Sequence, residues 1–145
     1  MVKYGNIALR IIATILTCGI YGLFWMASIN NNVNRLSIND RENVSGGMTV
    51  LLLFLTCGIY GYYWVYKMGV KIDEAKIERG IPTSNKTGML YLGILFVGLL
   101  LGLVGMFLEY KNIYSCKYYP LSSVVTIVIY ALMQDEINKF AQIQD

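Results

Sequence analysis

Histidine is absent from this chain of 145 residues, and charged residues make up only 14% of it. Soluble domains usually carry about 25% charged residues. Without histidine the chain lacks the commonest general base and the usual protein ligand of zinc and haem. We therefore expect no catalytic residue, no metal site and no cofactor.

Cysteine and net charge are also scarce. The cysteines, Cys18, Cys57 and Cys116, are odd in number and have no Cys-x-x-Cys spacing, so we interpret them as small apolar residues and not as a disulfide framework. The formal net charge is +3, and the basic residues are spread along the chain without a patch interleaved with aromatic residues. This pattern does not indicate nucleic-acid binding.

Apolar sequence is abundant, with 56% hydrophobic residues and a mean hydropathy of +0.51. A helix needs about 20 apolar residues to cross a bilayer, and some tilt or an aromatic end adjusts that length. Four segments fit this requirement, namely 7–29, 48–66, 89–108 and 118–134. The sequence therefore predicts a single all-α integral membrane domain over 1–145, built as a transmembrane bundle of four helices.

The sequence Leu-Thr-Cys-Gly-Ile-Tyr-Gly occurs twice, beginning at Leu16 and again at Leu55. In the same register Trp25 falls on Trp64, so the repeat extends beyond the identical letters, over 14–36 and 53–75. Both copies lie inside long apolar runs. We conclude that one building block for a membrane segment has been used twice.

The distribution of lysine and arginine predicts the orientation, because these residues collect on the cytoplasmic side of a membrane protein. With four continuous spans, eight of the 12 basic residues fall on the side of the two termini, which places both termini in the cytoplasm. The two copies then run in opposite directions, as in the inverted repeats of many transporters. Alternatively, the glycines around 20–21 and 59–60 break each segment, so that it turns back within one leaflet.

Several glycines are candidates for close helix packing, because small residues let two backbones approach. They are Gly19, Gly22, Gly58 and Gly61 of the repeat, and Gly98, Gly102 and Gly105 on one ridge of the third segment. Packing between helices of the same chain is the simpler interpretation. Self-association into a homo-oligomer is the alternative.

Polar side chains form a second candidate set. Arg10 lies inside the first segment, and Tyr21 and Tyr60 supply hydroxyls at matching places of the repeat. In the last segment a polar residue recurs at every fourth position, which gives a seam that winds slowly around the helix. The seam consists of Ser122, Thr126, Tyr130, Gln134 and Asn138. These groups either hydrogen-bond within and between helices or line a polar path.

A polar stretch follows the second segment, beginning at Lys67 and ending at Arg79, before Gly80 and Pro82 stop the helix. Its charges stand three or four positions apart, as in a helix that continues into water. We therefore expect a cytoplasmic helical extension that is solvated or binds a soluble partner, while the rest of the chain is surrounded by the lipid bilayer.

The stretches 56–64, 66–82 and 130–138, together with the first copy of the motif, resemble the bacterial membrane proteins called domain-of-unknown-function family four-two-three-four. The signature of the resemblance is Gly-Ile-Tyr-Gly-x-x-Trp, which this chain contains twice. The resemblance implies a multi-pass protein of the bacterial cytoplasmic (inner) membrane. It brings no reaction with it.

Features that serve helix packing outnumber those that serve chemistry. The sequence therefore favours a non-catalytic membrane protein that associates through its helices and has a regulatory or scaffolding role. A small channel or transporter is the alternative, motivated by the repeat, Arg10 and the polar seam. An enzyme is the least supported hypothesis, because its acid and base would have to be Glu109 or the pair Asp135 and Glu136.

Overall fold

A computed structural model describes residues 4–37, 43–110 and 121–143, apart from the side chains of 108–110, 121 and 122. These residues form six α-helices and no strand, so the expected all-α class is confirmed. The helices are α1 (Ile7–Leu16), α2 (Ile20–Leu36), α3 (Gly46–Leu55), α4 (Ile59–Glu78), α5 (Thr87–Tyr110) and α6 (Leu121–Ile143).

The turn between α1 and α2 reverses the chain. Arg10 Nη1 donates to Ser28 Oγ at 3.4 Å, and a Cβ built on Gly22 would lie 3.4 Å from Cγ2 of Thr14. In one continuous helix, positions 14 and 22 would be about 12 Å apart along the axis. The two helices are therefore the antiparallel arms of a hairpin.

The second copy of the repeat has the same arrangement, since a Cβ on Gly61 would lie 3.1 Å from Cδ1 of Leu53. The continuous helices expected over 7–29 and 48–66 are therefore wrong, because each segment is divided into two antiparallel helices. Hydropathy alone does not distinguish a hairpin from a straight span of the same composition.

The two hairpins point in the same direction. Asn31 Oδ1 accepts a hydrogen bond from the amide of Gly46, and Asn30 Oδ1 accepts one from Thr49 Oγ1, so α3 runs antiparallel to α2 and in the direction of α1. The expected inverted repeat is therefore wrong. Each copy already contains one reversal of the chain, so the second copy starts again from the same side.

The last two helices continue the alternation. The amide of Thr87 donates to Asp73 Oδ2, which joins the end of α4 to the start of α5, and Gly98 of α5 packs against Val125 of α6. The two hairpin turns thus lie toward one end of an up-and-down bundle. The start of α1 lies near the end of α6 at the opposite end of the bundle.

The core lies in the half of the bundle away from the turns. Its largest fully buried side chains come from α2, α4 and α6 and include Trp25, Trp64, Met26, Ile29, Leu36, Ile72, Ile129, Met133 and Ile137. Around the turns, by contrast, the apolar side chains are exposed. The molecule therefore has one half with an ordinary core and one half whose apolar groups face outward.

Among the described residues, one helix is long and apolar enough to cross a membrane, from Thr87 to Phe107, and most of it is not buried. This gives weak evidence of membrane association. The apolar helices α1 and α3 have ten residues each, about 15 Å, which is half of a hydrocarbon core of about 30 Å. By length, each of them reaches the middle of a bilayer and not its far side.

Candidate functional site

The turn after α1 is a helix stop of the Schellman type. The amide of Gly19 donates to the carbonyl of Thr14 at 2.8 Å, and the amide of Cys18 donates to that of Ile15 at 3.1 Å. This pattern requires left-handed backbone, which Cys18 adopts with φ of +50° and Gly19 with φ of +93°. Glycine is needed at position 19 because side chains rarely tolerate such a φ.

The threonine of the motif joins the two arms. Thr17 Oγ1 donates to the carbonyl of Ala13 at 2.8 Å and accepts the amide of Tyr21 at 2.9 Å. One hydroxyl therefore bonds to the end of the first arm and caps the start of the second. In the second copy, Thr56 makes the corresponding bonds at 2.8 and 3.0 Å.

The reversals leave no backbone donor unpaired. Every amide from Thr17 to Gly22 has an acceptor, and so has every amide from Thr56 to Gly61. The surrounding apolar side chains are exposed, Leu16 by 78%, Ile20 by 63%, Leu55 by 70% and Ile59 by 74%. Paired backbone donors inside an apolar exterior meet one requirement of a chain reversal in lipid.

The polar seam of α6 meets both copies of the repeat. The ring of Tyr130 packs edge-on against Trp25 and Trp64, with centroid distances of 5.7 and 5.8 Å. Trp25 Nε1 donates to Gln134 Oε1 at 3.3 Å, and Trp64 Nε1 donates to Asn30 Oδ1 at 2.9 Å. Equivalent tryptophans of the two hairpins are thus held on one tyrosine of α6.

At the end of the seam that lies away from the hairpin turns, the side chains form a closed set of hydrogen bonds. Gln134 Nε2 donates to Asn138 Oδ1, and Asn138 exchanges two bonds of 2.9 Å with the backbone of Gly5. Both side chains are buried. Closer to the start of α6, Thr126 borders an apolar cavity, and the side chain of Ser122 lies outside the described part of the chain.

The three remaining polar candidates are divided between the hairpins. The Arg10 guanidinium lies against Gly5, since a Cβ built on Gly5 would lie 2.9 Å from Cζ of Arg10. Arg10 therefore adjoins the end of the seam at Asn138, which bonds to Gly5. Tyr21 and Tyr60 are half-buried, and each packs against the core from its own hairpin. The structure thus brings Arg10 to the seam through Gly5.

Most of the candidate glycines make contacts inside the chain. Gly22 and Gly61 let the two arms of their hairpins approach, and Gly98 packs against Val125. Gly105 is buried, whereas a Cβ on Gly102 would meet nothing within 4 Å. Gly19 and Gly58 serve the turns by their positive φ and not by close packing.

The expected solvated extension is wrong for one face of its helix. Lys71 and Asp73 are buried, although the spacing of Lys71 to Glu74 and of Asp73 to Lys76 suggests exposed ion pairs. Lys71 Nζ donates to Asn34 and Asn43 at 2.8 and 2.7 Å. Asp73 accepts the amide and hydroxyl of Thr87 at 2.8 and 2.6 Å, so it caps the start of α5.

Ion pairs occupy the end of the bundle opposite the turns. Lys76 Nζ lies 2.5 Å from Glu136 Oε2, and Lys139 Nζ lies 2.7 Å from Asp135 Oδ2. Hydrogen bonds to Asp135 and then to Glu136 raise the pKa of Lys139. The charged end and the apolar turns thus define two opposite faces of the molecule.

A cavity of about 420 Å³ lies between the second hairpin and helices α5 and α6. Most of its lining is apolar, including Leu53, Ile59, Leu95 and Leu99. Within the described residues, no cluster of acidic or cysteine side chains could hold a metal ion.

Sequence reasoning overlooked the residues that hold the hairpins together, chiefly Trp25, Trp64, Asn30 and Thr49. The matching tryptophans were visible in the register of the repeat. Asn30 accepts from both Thr49 and Trp64 and donates to the carbonyl of Val44 at 2.6 Å. Its signal in the sequence was a run of asparagines, which are weak helix formers, inside a helix.

The fold and the site thus define an all-helical protein with two short apolar hairpins and one helix of spanning length. Residues 5–74 match the family described as a domain of unknown function (DUF4234). The match begins just before α1 and ends within α4, so it covers both hairpins and confirms the resemblance for that part of the chain. No curated protein and no solved structure matches.

Proposed function

We propose that this protein is a non-catalytic membrane protein whose hairpins enter the bilayer from one face and turn back near its centre. The observation that carries the proposal is the pair of turns, which have no unpaired backbone donor and an exposed apolar exterior. In this arrangement α5 and α6 cross the membrane, and the ion pairs around Lys76 and Lys139 lie at the face from which the hairpins enter.

The depth of the turns follows from the packing of α4 on α5. A Cβ on Gly69 would lie 2.5 Å from Cα of Gly88, so these two glycines are at one level. Ten residues of helix measure about 15 Å. Ten residues from this level toward the turns, α4 has reached Ile59 and α5 has reached Gly98. The apolar stretch Thr87–Phe107 has its middle next to Gly98, so the turn lies at the centre of the bilayer.

The distribution of basic residues supports this topology. With both hairpins entering from one face, all the lysines and arginines except Lys111 and Lys117 belong to that face, which gives ten of the 12. Four continuous spans give only eight. A larger excess on one side favours re-entrant hairpins and places the entry face, with both termini, in the cytoplasm of a bacterium.

Two modes of association are part of the proposal. Gly102 offers an open site on an exposed apolar helix, where a second copy of the chain packs to form a homo-oligomer. The exposed face of α4 near its end, with Glu74, Ile77 and Glu78, is the surface for a soluble partner. A regulatory or scaffolding role fits these two surfaces.

The channel or transporter alternative draws little support, because the seam residues Gln134 and Asn138 bond to protein groups.

Cysteine labelling tests the topology directly. In a cysteine-free background, single cysteines are placed at position 40 between α2 and α3 and at the exposed Ser84, and native Cys116 is restored alone as the third reporter. A membrane-impermeant maleimide is applied to intact spheroplasts and to inverted vesicles. We expect positions 40 and 84 to react only in inverted vesicles and Cys116 only in spheroplasts.

The reporter at position 40 decides between the two topologies. Four continuous spans place it on the side of Cys116, so labelling of both in spheroplasts would overturn the proposal. Position 84 is the matched control, because both topologies place it in the cytoplasm. Detergent-solubilised protein establishes that each cysteine can react once the membrane is removed.

A further inference from the structure

We infer that this protein is a wedge that prefers, and at high density produces, membranes that bulge toward its entry face. The inference rests on the proposed insertion of the hairpins from one side. It adds a function to that topology, because a protein with unequal cross-sections in the two leaflets responds to membrane curvature.

The difference in cross-section is large. On the entry side of the level defined by Gly98 and Val125, all six described helices lie side by side. Beyond that level, the described helices are reduced to the last part of α5 and the first turn of α6. Of the described helices, six therefore lie in the entry leaflet, whereas parts of two lie in the opposite leaflet.

The excess area can be worked out from helix dimensions. A helix with its side chains is about 10–12 Å across, so four additional helices occupy on the order of 400 Å² more in the entry leaflet than in the other. Curving the bilayer toward the entry face expands that leaflet relative to the other. The protein therefore fits a curved bilayer with less strain than a flat one.

A wedge bends a membrane only if it cannot flatten, and the hydrogen bonds between the hairpins provide this stiffness. Buried Asn30 of the first hairpin accepts bonds from Thr49 and Trp64 of the second. Tyr130 of α6 packs against the tryptophans of both hairpins. Spreading the hairpins would leave the buried polar groups of Asn30, Thr49 and Trp64 unpaired, which is unfavourable inside a protein.

The test measures protein density on single vesicles of different size. Cell-free synthesis inserts the chain into preformed vesicles, with the entry face outward, and protection of Cys116 verifies the orientation. A fluorophore at Ser84→Cys, in a background without the other exposed cysteines, reports the density. We expect a density about threefold higher on vesicles of about 50 nm than on vesicles of about 400 nm, because binding by inserted wedges depends on curvature.

A charged turn supplies the matched control. Leu16→Lys with Leu55→Lys places a charge at each exposed turn, where the hydrocarbon core disfavours it, without touching the buried core. This variant should lose the dependence on vesicle size, whereas Leu16→Met with Leu55→Met should keep it. Equal loss in both variants would contradict the inference.

A depth measurement separates failure of the inference from failure of the topology. A spin label on Cys18 or Cys57, both exposed at the turns, reports the distance of each turn from the headgroups. Deep labels with a density that rises on small vesicles support the inference. Deep labels with a flat density overturn the wedge and leave the topology intact. Shallow labels overturn the topology and with it the wedge.

Discussion

Two adjacent glycines at the start of α3 give a matched pair of substitutions. A Cβ on Gly46 would lie 2.4 Å from the carbonyl oxygen of Ala27 and 2.9 Å from its Cα, because α2 and α3 touch there through their backbones. A Cβ on Gly47 would meet nothing within 4 Å. Alanine should therefore be damaging at position 46 and harmless at position 47.

The size of the effect follows from the geometry. Ordinary contact begins near 3.4 Å, so the helices must separate by about 1 Å to admit a methyl group at Gly46. Such overpacking costs about 1–3 kcal/mol. The separation also strains the bond from the Gly46 amide to Asn31 Oδ1, worth about 1 kcal/mol. Alanine gains up to about 1 kcal/mol of helix propensity at either glycine, so this gain cancels in the comparison. The overpacking and the strained hydrogen bond should therefore leave Gly46→Ala about 3 kcal/mol less stable than Gly47→Ala.

Unfolding by sodium dodecyl sulfate, started from mild detergent, measures this difference. Trp25 and Trp64 are both buried in the core, so their fluorescence reports loss of the native packing. We expect Gly46→Ala to unfold at a clearly lower denaturant fraction than the parent, and Gly47→Ala at an equal or higher one. If Gly46→Ala matched the parent in stability, the close approach of α2 to α3 would be wrong.

Three further predictions concern the turns and the polar core. Cysteines that replace Thr14 and Gly22, in a background without the native cysteines, should form an intrachain disulfide under mild oxidation, because the hairpin brings these two positions together. A count of free thiols measures the disulfide. Cys18→Gly should stabilise the protein by about 0.5 kcal/mol by relieving a left-handed φ, whereas Gly19→Ala should destabilise it by about 1–2 kcal/mol, both measured by the same unfolding assay. Asn30→Leu should cost about 3 kcal/mol, because it leaves the buried donors of Thr49 and Trp64 without their acceptor, whereas the Val44 carbonyl keeps the bond from Asn34. A stability equal to the parent would contradict the role given to Asn30.

The helical class and the repeat could be predicted because hydropathy and sequence letters are local properties. The direction of the chain within each copy stayed open between a continuous span and a turn back at the glycines. A straight span and a hairpin bury the same composition in lipid, and the difference depends on the φ values of Cys18 and Cys57. A cysteine in left-handed backbone is uncommon, and the amides that make it tolerable are paired with residues of the preceding turn.

The polar core escaped prediction for a different reason. The spacing of Lys71 to Glu74, and of Asp73 to Lys76, suggests neighbouring charges in water, and that interpretation uses only the residues of α4. The partners that bury them come from elsewhere in the chain, Asn34 and Asn43 for the lysine and Thr87 for the aspartate. Periodicity within one helix carries no information about such tertiary contacts.

The two hairpins share seven identical letters at the turn and diverge below it, and the structure gives a physical reason. At the turn the surroundings of the proposed topology are lipid, so all backbone donors must be paired within the segment itself, and Thr17 and Thr56 solve this problem identically. Farther from the turn the surroundings are other helices, which can supply different partners. Position 34 is an asparagine that donates to Val44, whereas its counterpart is Asp73, which caps α5. In the proposed topology the membrane thus constrains the part of the repeat that faces lipid, and protein contacts leave the rest free to specialise.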